Sequence, residues 1–230
     1  MSKKILCTVP FITYNFVSNL NIHHCIFFER IAPYYDTLID LLTIGLYAKF
    51  LKRAVTILAP QKGEKILDLC SGTGRAASWM AQAVGEEGEV VGMDVAKRMV
   101  EVATNRYRGL GNLIFLQKDV TQSWGYQNHF DGIFTSFAFH ELTEAKRSGV
   151  LEQSYLALKE RGRMVIADFN PEISGRSKTF LLIFFKLFER ENFNFFSFDQ
   201  AKTLEKVGFE EIRIFPVLAG LFQITCAQKD

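Results

Sequence analysis

The sequence predicts a three-layer α/β sandwich on a mostly parallel seven-stranded sheet with an antiparallel C-terminal strand. From about residue 62, short apolar runs alternate with segments of helical periodicity, which is typical of a parallel sheet covered on both faces. The run FDGIFTSFAF is apolar on both faces, as a central parallel strand should be. Little more than Ala219 and Gly220 joins the last two strands, which permits a hairpin but no helical crossover.

The alternation can be followed element by element. The five strands of the parallel part read KILDLC, EVVGMDV, LIFLQKDV, FDGIFTSFAF and RMVIADF. Three helices between them read RAASWMAQAVG, AKRMVEVATNRYRGLG and TEAKRSGVLEQSYLALKERG, each closed by a glycine, the residue that most often ends a helix. A further helix, FDQAKTLEKVG, precedes the two strands of the hairpin, EEIRIFPVL and LFQITCAQK.

Two segments lie outside this alternation. Residues 1–60 are rich in apolar residues at helical spacing, so we expect a helical N-terminal lid region ahead of a main domain over 61–230. Residues 170–196 form a predicted cap insertion, whose stretch from Phe180 to Phe196 is too short to span a bilayer and apolar nearly all round. We expect it to be a buried cap helix over the site or a contact with a membrane surface.

Composition and charge narrow the class of protein. The 230 residues carry a formal net charge of +2, which is too small to indicate a nucleic-acid partner. The four cysteines are scattered without zinc-ligand spacing, so we expect reduced thiols, no metal site and a cytosolic protein. Polar residues and Pro10 interrupt the apolar N-terminus, so we do not expect a signal peptide. No stretch contains ~20 uninterrupted apolar residues, so we do not expect a membrane-spanning helix.

The segment KILDLCSGTG carries the first chemical signal. A strand that ends in Gly-x-Gly before a helix places backbone N–H groups and a positive helix terminus at the carboxyl edge of the sheet. Ligands bind there in open α/β sheets. Gly72 and Gly74 let the backbone come close to such a ligand. Because GTGRAA also fits the dinucleotide turn, an NAD(P) oxidoreductase is the alternative enzyme class.

Two details favour S-adenosylmethionine over NAD, and a third, Asp94, suits either cofactor. Asp68 lies four residues before Gly72, where its carboxylate can meet the ammonium of a methionine moiety but would repel a pyrophosphate. Asp94 ends the second strand and can accept hydrogen bonds from both ribose hydroxyls, a feature that NAD proteins share. The sheet ends in a hairpin where a dinucleotide fold would continue in parallel. A cofactor-binding protein without catalysis would show damaged cofactor positions, and none is visible.

These motifs resemble those of class I S-adenosylmethionine-dependent methyltransferases, which have a Rossmann-like fold. LDLCSGTG resembles the first motif of that family, VVGMDV the acidic strand after it, QKDV the adenine segment and FDGIFTSFAFHEL the motif beside the methyl group. The resemblance covers about residues 28–228. Within the class, FERIAPYYDTLIDLLTIGLYAKFLKR and FFSFDQAKTLEKVGFEEIRIFPVLAGLFQITCAQK are similar to segments of the ubiquinone/menaquinone biosynthesis C-methyltransferases.

The resemblance implies S-adenosylmethionine as the methyl donor and a set of positions that hold it. Those positions fall on Thr73, Asp94, Asp119, Val120 and Ser136. Backbone access and charge add Asp68, Gly72 and Gly74 to the expected cofactor site.

Two further residues are candidates for catalysis. His140 follows the fourth strand, and an unperturbed imidazole pKa of about 6.5 suits a general base; a helix cap or a pocket-lining role is the alternative. It stands where the quinone enzymes carry an arginine that polarises a water or the substrate ring. Glu141 could orient His140 or pair with an amine substrate. Tyr35, rather than its neighbour Tyr34, matches the place where relatives position a tyrosine over the cofactor, with core packing as the alternative.

These expectations define the predicted function. We expect methyl transfer to a lipophilic small molecule, first of all carbon methylation of a quinone-type ring. The alternatives are N-methylation of a phospholipid amine and methylation of another small molecule. A cytoplasmic protein without a nucleic-acid partner is expected, with peripheral membrane contact and a homodimer left open.

Overall fold

The computed structural model describes residues 29–173 and 198–230. These residues form a seven-stranded sheet with the strand order β3-β2-β1-β4-β5-β7-β6. Phe180 to Phe196, and with it the predicted cap helix, lies outside the described residues. The predicted boundary between residues 1–60 and 61–230 stays a prediction.

The elements follow the predicted alternation. The strands are β1 Lys65–Leu69, β2 Glu89–Asp94, β3 Leu113–Gln117, β4 Phe130–Ser136, β5 Leu158–Phe169, β6 Phe209–Val217 and β7 Phe222–Lys229. The helices are α1 Tyr35–Leu42, α2 Leu46–Leu58, α3 Arg75–Val84, α4 Lys97–Tyr107, α5 Glu144–Ala157 and α6 Gln200–Val207, with a 3₁₀ turn at Phe139–Glu141.

The strand order reverses at β1: β2 and β3 follow on one side of it, and β4 and β5 on the other. Strand β1 pairs in parallel with β2 on one side and with β4 on the other, so that Asp68 lies opposite Gly92 and Phe134. Strand β7 is antiparallel to both β5 and β6, which confirms the predicted hairpin. In open α/β sheets the binding crevice lies outside the carboxyl ends of the strands at such a switch point. We therefore expect the binding site at the carboxyl ends of β1, β2 and β4.

Both faces of the sheet are buried under helices, which confirms the three-layer arrangement. Along β1, Leu67 belongs to the core cluster that includes Leu151 of α5, whereas Ile66 belongs to the cluster on the opposite face. That second cluster includes Ala54 of α2. Each residue of β1 from Ile66 to Leu69 is buried because successive side chains point to opposite faces and both are covered. Helix α2 is thus part of the core that supports the sheet.

The end of α5 differs from the prediction. Helical periodicity extended the helix to Gly162, but it ends at Ala157 and β5 begins at Leu158. Leu158 pairs with Phe130 of β4, and the Lys159 ammonium lies 2.8 Å from both carboxylate oxygens of Asp131. Strand pairing therefore prevails over the helical pattern in these residues. The pairing then shifts register, and Arg161 adopts a left-handed φ of 59°.

Candidate active site

A cleft opens at the carboxyl ends of β1, β2 and β4. The space free of protein atoms is about 1070 Å³, with the open mouth of the cleft included. Helices α1 and α2 contribute Tyr35, Tyr47 and Leu51 to its wall. Seven of the predicted site residues line it: Tyr35, Gly72, Thr73, Asp94, Asp119, Val120 and Ser136. Asp68, Gly74 and His140 are not among the lining residues.

The two glycines of the turn have different roles. Gly72 lines the cleft with φ of 55°, and an added Cβ there would meet no protein atom within 4 Å, so a ligand has room beside its backbone. A Cβ on Gly74 would lie 2.4 Å from Cζ of Phe115, and its φ is 78°. Gly74 is therefore required by the close packing of the turn on β3, which the sequence did not reveal. Cys70 also has a left-handed φ of 55°, which is uncommon outside glycine.

Asp94 ties the glycine turn to the loop after β2. Its Oδ2 accepts the Gly72 N–H at 2.8 Å and its Oδ1 accepts the Ala96 N–H at 2.9 Å. Burial raises the pKa of Asp94 to about 6, against the lowering effect of these two hydrogen bonds. Each carboxylate oxygen still has a lone pair for a further donor. The arrangement fits a ligand with two neighbouring hydroxyl groups at the end of β2.

Asp68 lies behind the turn. The side chain is buried, and its Oδ2 accepts no hydrogen bond from the described residues. Burial raises the pKa of Asp68 well above its ordinary value, the charge of Asp94 adds to the effect, and a hydrogen bond from the Ala77 backbone opposes it. A buried carboxylate oxygen without a donor is costly, so this atom suits an ammonium or a bridging water.

Asp119 and Val120 line the cleft just after the end of β3. Asp119 Oδ1 accepts the backbone N–H of Thr121 at 2.9 Å and its hydroxyl at 2.8 Å, which fixes the loop after β3. Val120 and Met99 are buried apolar side chains on the same wall. An apolar surface next to a carboxylate suits an adenine ring with its amino group. One acid thus lies near the carboxyl end of each of three adjacent strands: Asp68 within β1, Asp94 at the end of β2 and Asp119 just after β3. S-adenosylmethionine carries donors for all three.

Helix α1 is fastened to the cofactor turn by an ion-pair network of Asp36, Asp40, Arg75 and Arg106. The Thr73 hydroxyl lies 2.9 Å from both carboxylate oxygens of Asp36. The Arg106 guanidinium also binds Asp36, and Arg75 binds Asp40 through two hydrogen bonds of 2.7 and 2.8 Å. Because Thr73 and Arg75 belong to the turn and the start of α3, this network holds α1 beside the cleft.

Tyr35 and Tyr47 form an aromatic part of the wall. Tyr35 lines the cleft, whereas Tyr34 is exposed. The two rings meet edge-on with centroids 6.5 Å apart, and burial raises the pKa of Tyr35 to about 12. Tyr35 therefore keeps its proton at neutral pH. Tyr47, which the sequence analysis missed, stacks at 5.4 Å on Phe137, the residue after Ser136.

His140 lies in the buried 3₁₀ turn after β4. Its Nδ1 is 2.7 Å from Oδ1 of Asp168, and its backbone N–H donates to Oδ2 at 3.1 Å. The Arg147 Nε–H braces the same turn by donating to the Phe139 carbonyl at 2.6 Å. The bond to Asp168 favours the tautomer with the proton on Nδ1, which puts the basic lone pair on Nε2. Glu141, the next residue, lines the cleft.

Asp168 is the partner of the candidate residue His140, and the sequence analysis missed it. The signal for it was an acid within MVIADF, a run of residues that is otherwise apolar. The side chain is buried, and buried acids are rare unless they are paired.

Comparison with known proteins also indicates a methyltransferase. The model of the ubiE/COQ5 methyltransferase family matches residues 18–216. The chain is 29% identical over 220 residues to a 2-phytyl-1,4-naphtoquinone methyltransferase of Thermosynechococcus vestitus, covering 88% of this chain and 97% of that protein. It is 27% identical over 216 residues to the ubiquinone/menaquinone biosynthesis C-methyltransferase UbiE of Haemophilus ducreyi, covering 84% and 83%.

Solved structures share the fold. A SAM-dependent methyltransferase from Aquifex aeolicus superposes with a TM-score of 0.58 at 22% identity, covering 78% of this chain and 89% of that one. In residues 29–173 and 198–230, no helix is long and apolar enough to cross a membrane. Because the family model matches most of this chain, the chain belongs to the ubiE/COQ5 methyltransferase family and is an S-adenosylmethionine-dependent methyltransferase.

Proposed function

We propose that the protein methylates a ring carbon of a lipophilic quinone-type acceptor in its reduced, electron-rich form. The observation that carries this proposal is the aromatic wall of Tyr35, Tyr47 and Phe137 beside the predicted cofactor turn. Phe137 continues this wall into the protein through Phe169 and Phe222, with ring centroids 5.6 Å away in each case. A flat apolar ring fits such a surface by edge and face contacts. The names of both relatives, which refer to quinones, support the same acceptor class.

Eight residues hold the cofactor in this proposal. Asp94 would accept hydrogen bonds from the ribose hydroxyls and Asp119 from the adenine amino group. Asp68 would meet the ammonium, directly or through water. The backbone of Gly72 and Thr73 would contact the methionine part of the cofactor. Gly74 allows the turn to pack closely on Phe115. Val120 and Ser136 complete the walls.

The protein contributes to the reaction chiefly by orientation. Bound S-adenosylmethionine supplies an electrophilic sulfonium methyl group. The aromatic wall would hold the acceptor ring beside the bound donor, and well-oriented approach accounts for roughly 7–11 kcal/mol of a barrier. Because the methyl group would replace a hydrogen on the ring carbon, the ring would have to release one proton to a group of the protein.

His140 is the proposed acceptor of that proton. Asp168 fixes its tautomer, and the pair resembles the base and orienting acid of other proton-transfer sites. In the alternative arrangement, Glu141 accepts the proton from its place on the cleft wall, and the His140–Asp168 pair braces the turn that carries it. The two arrangements differ in which variant loses turnover.

A second candidate function is N-methylation of a phospholipid amine. Glu141 favours it, since a carboxylate that lines the cleft can pair with an ammonium group. The quinone-type acceptor needs no such partner.

A defined assay separates the two functions. The protein is incubated with S-adenosylmethionine carrying a deuterated methyl group, a reduced prenylated naphthoquinol without the ring methyl, and phosphatidylethanolamine. We expect the label on the ring carbon of the quinol, located by fragment masses. Label on the amine nitrogen would instead support the second function, and an NADH-dependent change without label would contradict both. The oxidised quinone is the matched control, because its electron-poor ring should not react.

A further inference from the structure

The turn between α1 and α2 presents large apolar side chains to solvent. We call residues 41–46 the apolar turn. Leu41 is 77% exposed, Leu42 71% and Ile44 88%. Single exposed apolar side chains are ordinary, but neighbouring ones in one turn form a patch, and such patches mark contact with another surface.

The apolar turn has a fixed shape. The Thr43 N–H donates to the Ile39 carbonyl at 2.9 Å, the Gly45 N–H to the Asp40 carbonyl at 2.8 Å, and the Leu46 N–H to the Thr43 carbonyl at 3.0 Å. The Thr43 hydroxyl donates to the Ile39 carbonyl at 2.7 Å. These bonds tie the turn to the last residues of α1, so the apolar side chains are held outward by an ordered backbone.

Ile44 is held outward at a conformational cost. Its φ is 51°, a left-handed conformation that is unfavourable for a β-branched residue. Asparagine adopts the same conformation more readily and would suit an exposed turn in water. An apolar β-branched residue at a strained, exposed position indicates that its side chain is used for contact.

The charges behind the turn point to an anionic surface. Between Leu41 and Gly63 the chain has four basic residues and no acidic one: Lys49, Lys52, Arg53 and Lys62. Lys49 and Arg53 are exposed on α2, within two helical turns of Leu46. An apolar edge backed by lysine and arginine is the composition of protein segments that lie in the interface of anionic membranes.

The position of the turn relates it to the cleft. The apolar turn joins the two helices that contribute Tyr35 and Tyr47 to the cleft wall. We propose that this turn docks on an anionic lipid bilayer, with Leu42 and Ile44 in the apolar interface and Lys49 and Arg53 at lipid phosphates. The cleft then receives its acceptor from that surface, a step that rests on the proposed lipophilic acceptor.

Vesicle binding by the full chain tests the docking surface without any assay of methyl transfer. Co-sedimentation is measured with phosphatidylcholine vesicles with and without phosphatidylglycerol. We expect binding to the anionic vesicles and roughly tenfold weaker binding to neutral ones. Ile44→Asn should weaken binding to anionic vesicles by about tenfold. Leu156→Asn, at an apolar residue of α5 that is 56% exposed, is the matched control and should bind like wild type.

The same variant separates membrane contact from internal packing. Because asparagine suits the left-handed conformation, Ile44→Asn should unfold at the same temperature as wild type or a higher one. A lowered unfolding temperature with unchanged vesicle binding would show that the turn packs within the chain and would overturn the proposal. A smaller oligomer by light scattering, with vesicle binding unchanged, would assign the turn to a second copy and overturn it too.

Failure of the proposed function can be told apart from failure of this surface. With a short-chain, water-soluble quinol, Ile44→Asn should transfer methyl groups like wild type, whereas transfer to a vesicle-embedded quinol should fall about tenfold. If the wild-type protein binds vesicles but does not methylate either quinol, the proposed acceptor is wrong and the proposed docking surface is unaffected. Absence of vesicle binding by the wild-type protein would overturn the docking surface alone.

Discussion

Asp94 accepts two backbone hydrogen bonds while it is buried, and these two facts move its pKa in opposite directions. Burial prevails and raises the pKa from 3.8 to about 6. Between these two values the folded protein retains a proton that the unfolded chain has released, so this contribution to stability falls as pH rises from about 4 to about 6. Above pH 6 the buried carboxylate is ionised, and the free-energy cost of burying this charge no longer changes with pH. A ligand that donates hydrogen bonds to the carboxylate can offset that cost.

Cofactor affinity should therefore depend on pH. Ribose hydroxyls donate to the ionised carboxylate, so the affinity for S-adenosylmethionine should be about tenfold lower at pH 5 than at pH 7. Isothermal titration at both pH values measures this. Asp94→Asn should bind weakly and lose most of the pH dependence, whereas Asp131→Asn, at an acid paired with Lys159, should keep the wild-type profile. An unchanged profile in Asp94→Asn would show that another group controls binding.

The buried His140–Asp168 pair makes a second prediction at the same scale. If His140 accepts the proton, His140→Ala should lower turnover at least ~100-fold and leave the affinity for S-adenosylmethionine intact. Asp168→Asn should lower turnover less and shift the acid limb of the pH–rate profile, because the imidazole loses its orienting charge.

Thermal unfolding provides the control, since both side chains are buried. Turnover is compared only in variants that remain folded at the assay temperature. Normal turnover in folded His140→Ala, together with a large loss in Glu141→Gln, would assign proton transfer to Glu141.

Among the elements, α1 depends on charge for its position. Its apolar residues are largely exposed, and its buried residue is Asp36. The ion-pair network of Asp36, Asp40, Arg75 and Arg106 therefore takes the role that an apolar face has in α2. Since Arg75 also starts α3, the helix that follows the cofactor turn, the position of α1 and the shape of the cleft are coupled.

Breaking this network should weaken cofactor binding. Arg75→Gln removes the two hydrogen bonds to Asp40, and charge-assisted bonds of this kind contribute about 1.5–3 kcal/mol when shielded; because Asp40 is partly exposed we expect about 1 kcal/mol. The affinity for S-adenosylmethionine should fall about fivefold, and proteolysis between α1 and α2 should become faster.

A double-mutant cycle distinguishes coupling from a general loss of stability. Because Arg75 also pairs with Asp36 at 3.4 Å, Asp40→Asn should have a smaller effect than Arg75→Gln. The double variant should be no worse than Arg75→Gln alone. Lys65→Gln, which breaks the exposed pair with Glu89, serves as the control and should leave binding unchanged. Additive effects in the double variant would show that Arg75 and Asp40 act separately.

At the scale of the whole molecule, the sheet could be predicted because its signals are local. Apolar runs, glycine stops and the short link at Ala219–Gly220 are properties of neighbouring residues. They predicted the seven strands, the hairpin and the edge where Asp94 and Asp119 lie. The structure contains all seven, but β4 ends earlier than predicted, at Ser136, and β5 begins earlier, at Leu158. Helix α5 was predicted too long because strand pairing of Leu158 with Phe130 is a contact between distant residues.

The parts of the site that were missed depend on contacts across the sheet. Register pairs Ser136 with Ala167, which brings His140 beside Asp168. Likewise, the role of Gly74 is decided by Phe115, a residue on β3, and Tyr47 reaches the cleft because α2 packs on the sheet. Periodicity and spacing along the chain contain none of these distances.

The most direct test of the central claim is the location of the transferred methyl group in a native lipid extract. The protein is incubated with the extract, a reductant and S-adenosylmethionine labelled in its methyl group, and the products are separated and fragmented by mass spectrometry. Our account predicts a labelled prenylated quinone with the methyl on a ring carbon, absent with Asp94→Asn. Label on a phospholipid amine, or on a small hydrophilic acceptor with none in the lipid fraction, would contradict it.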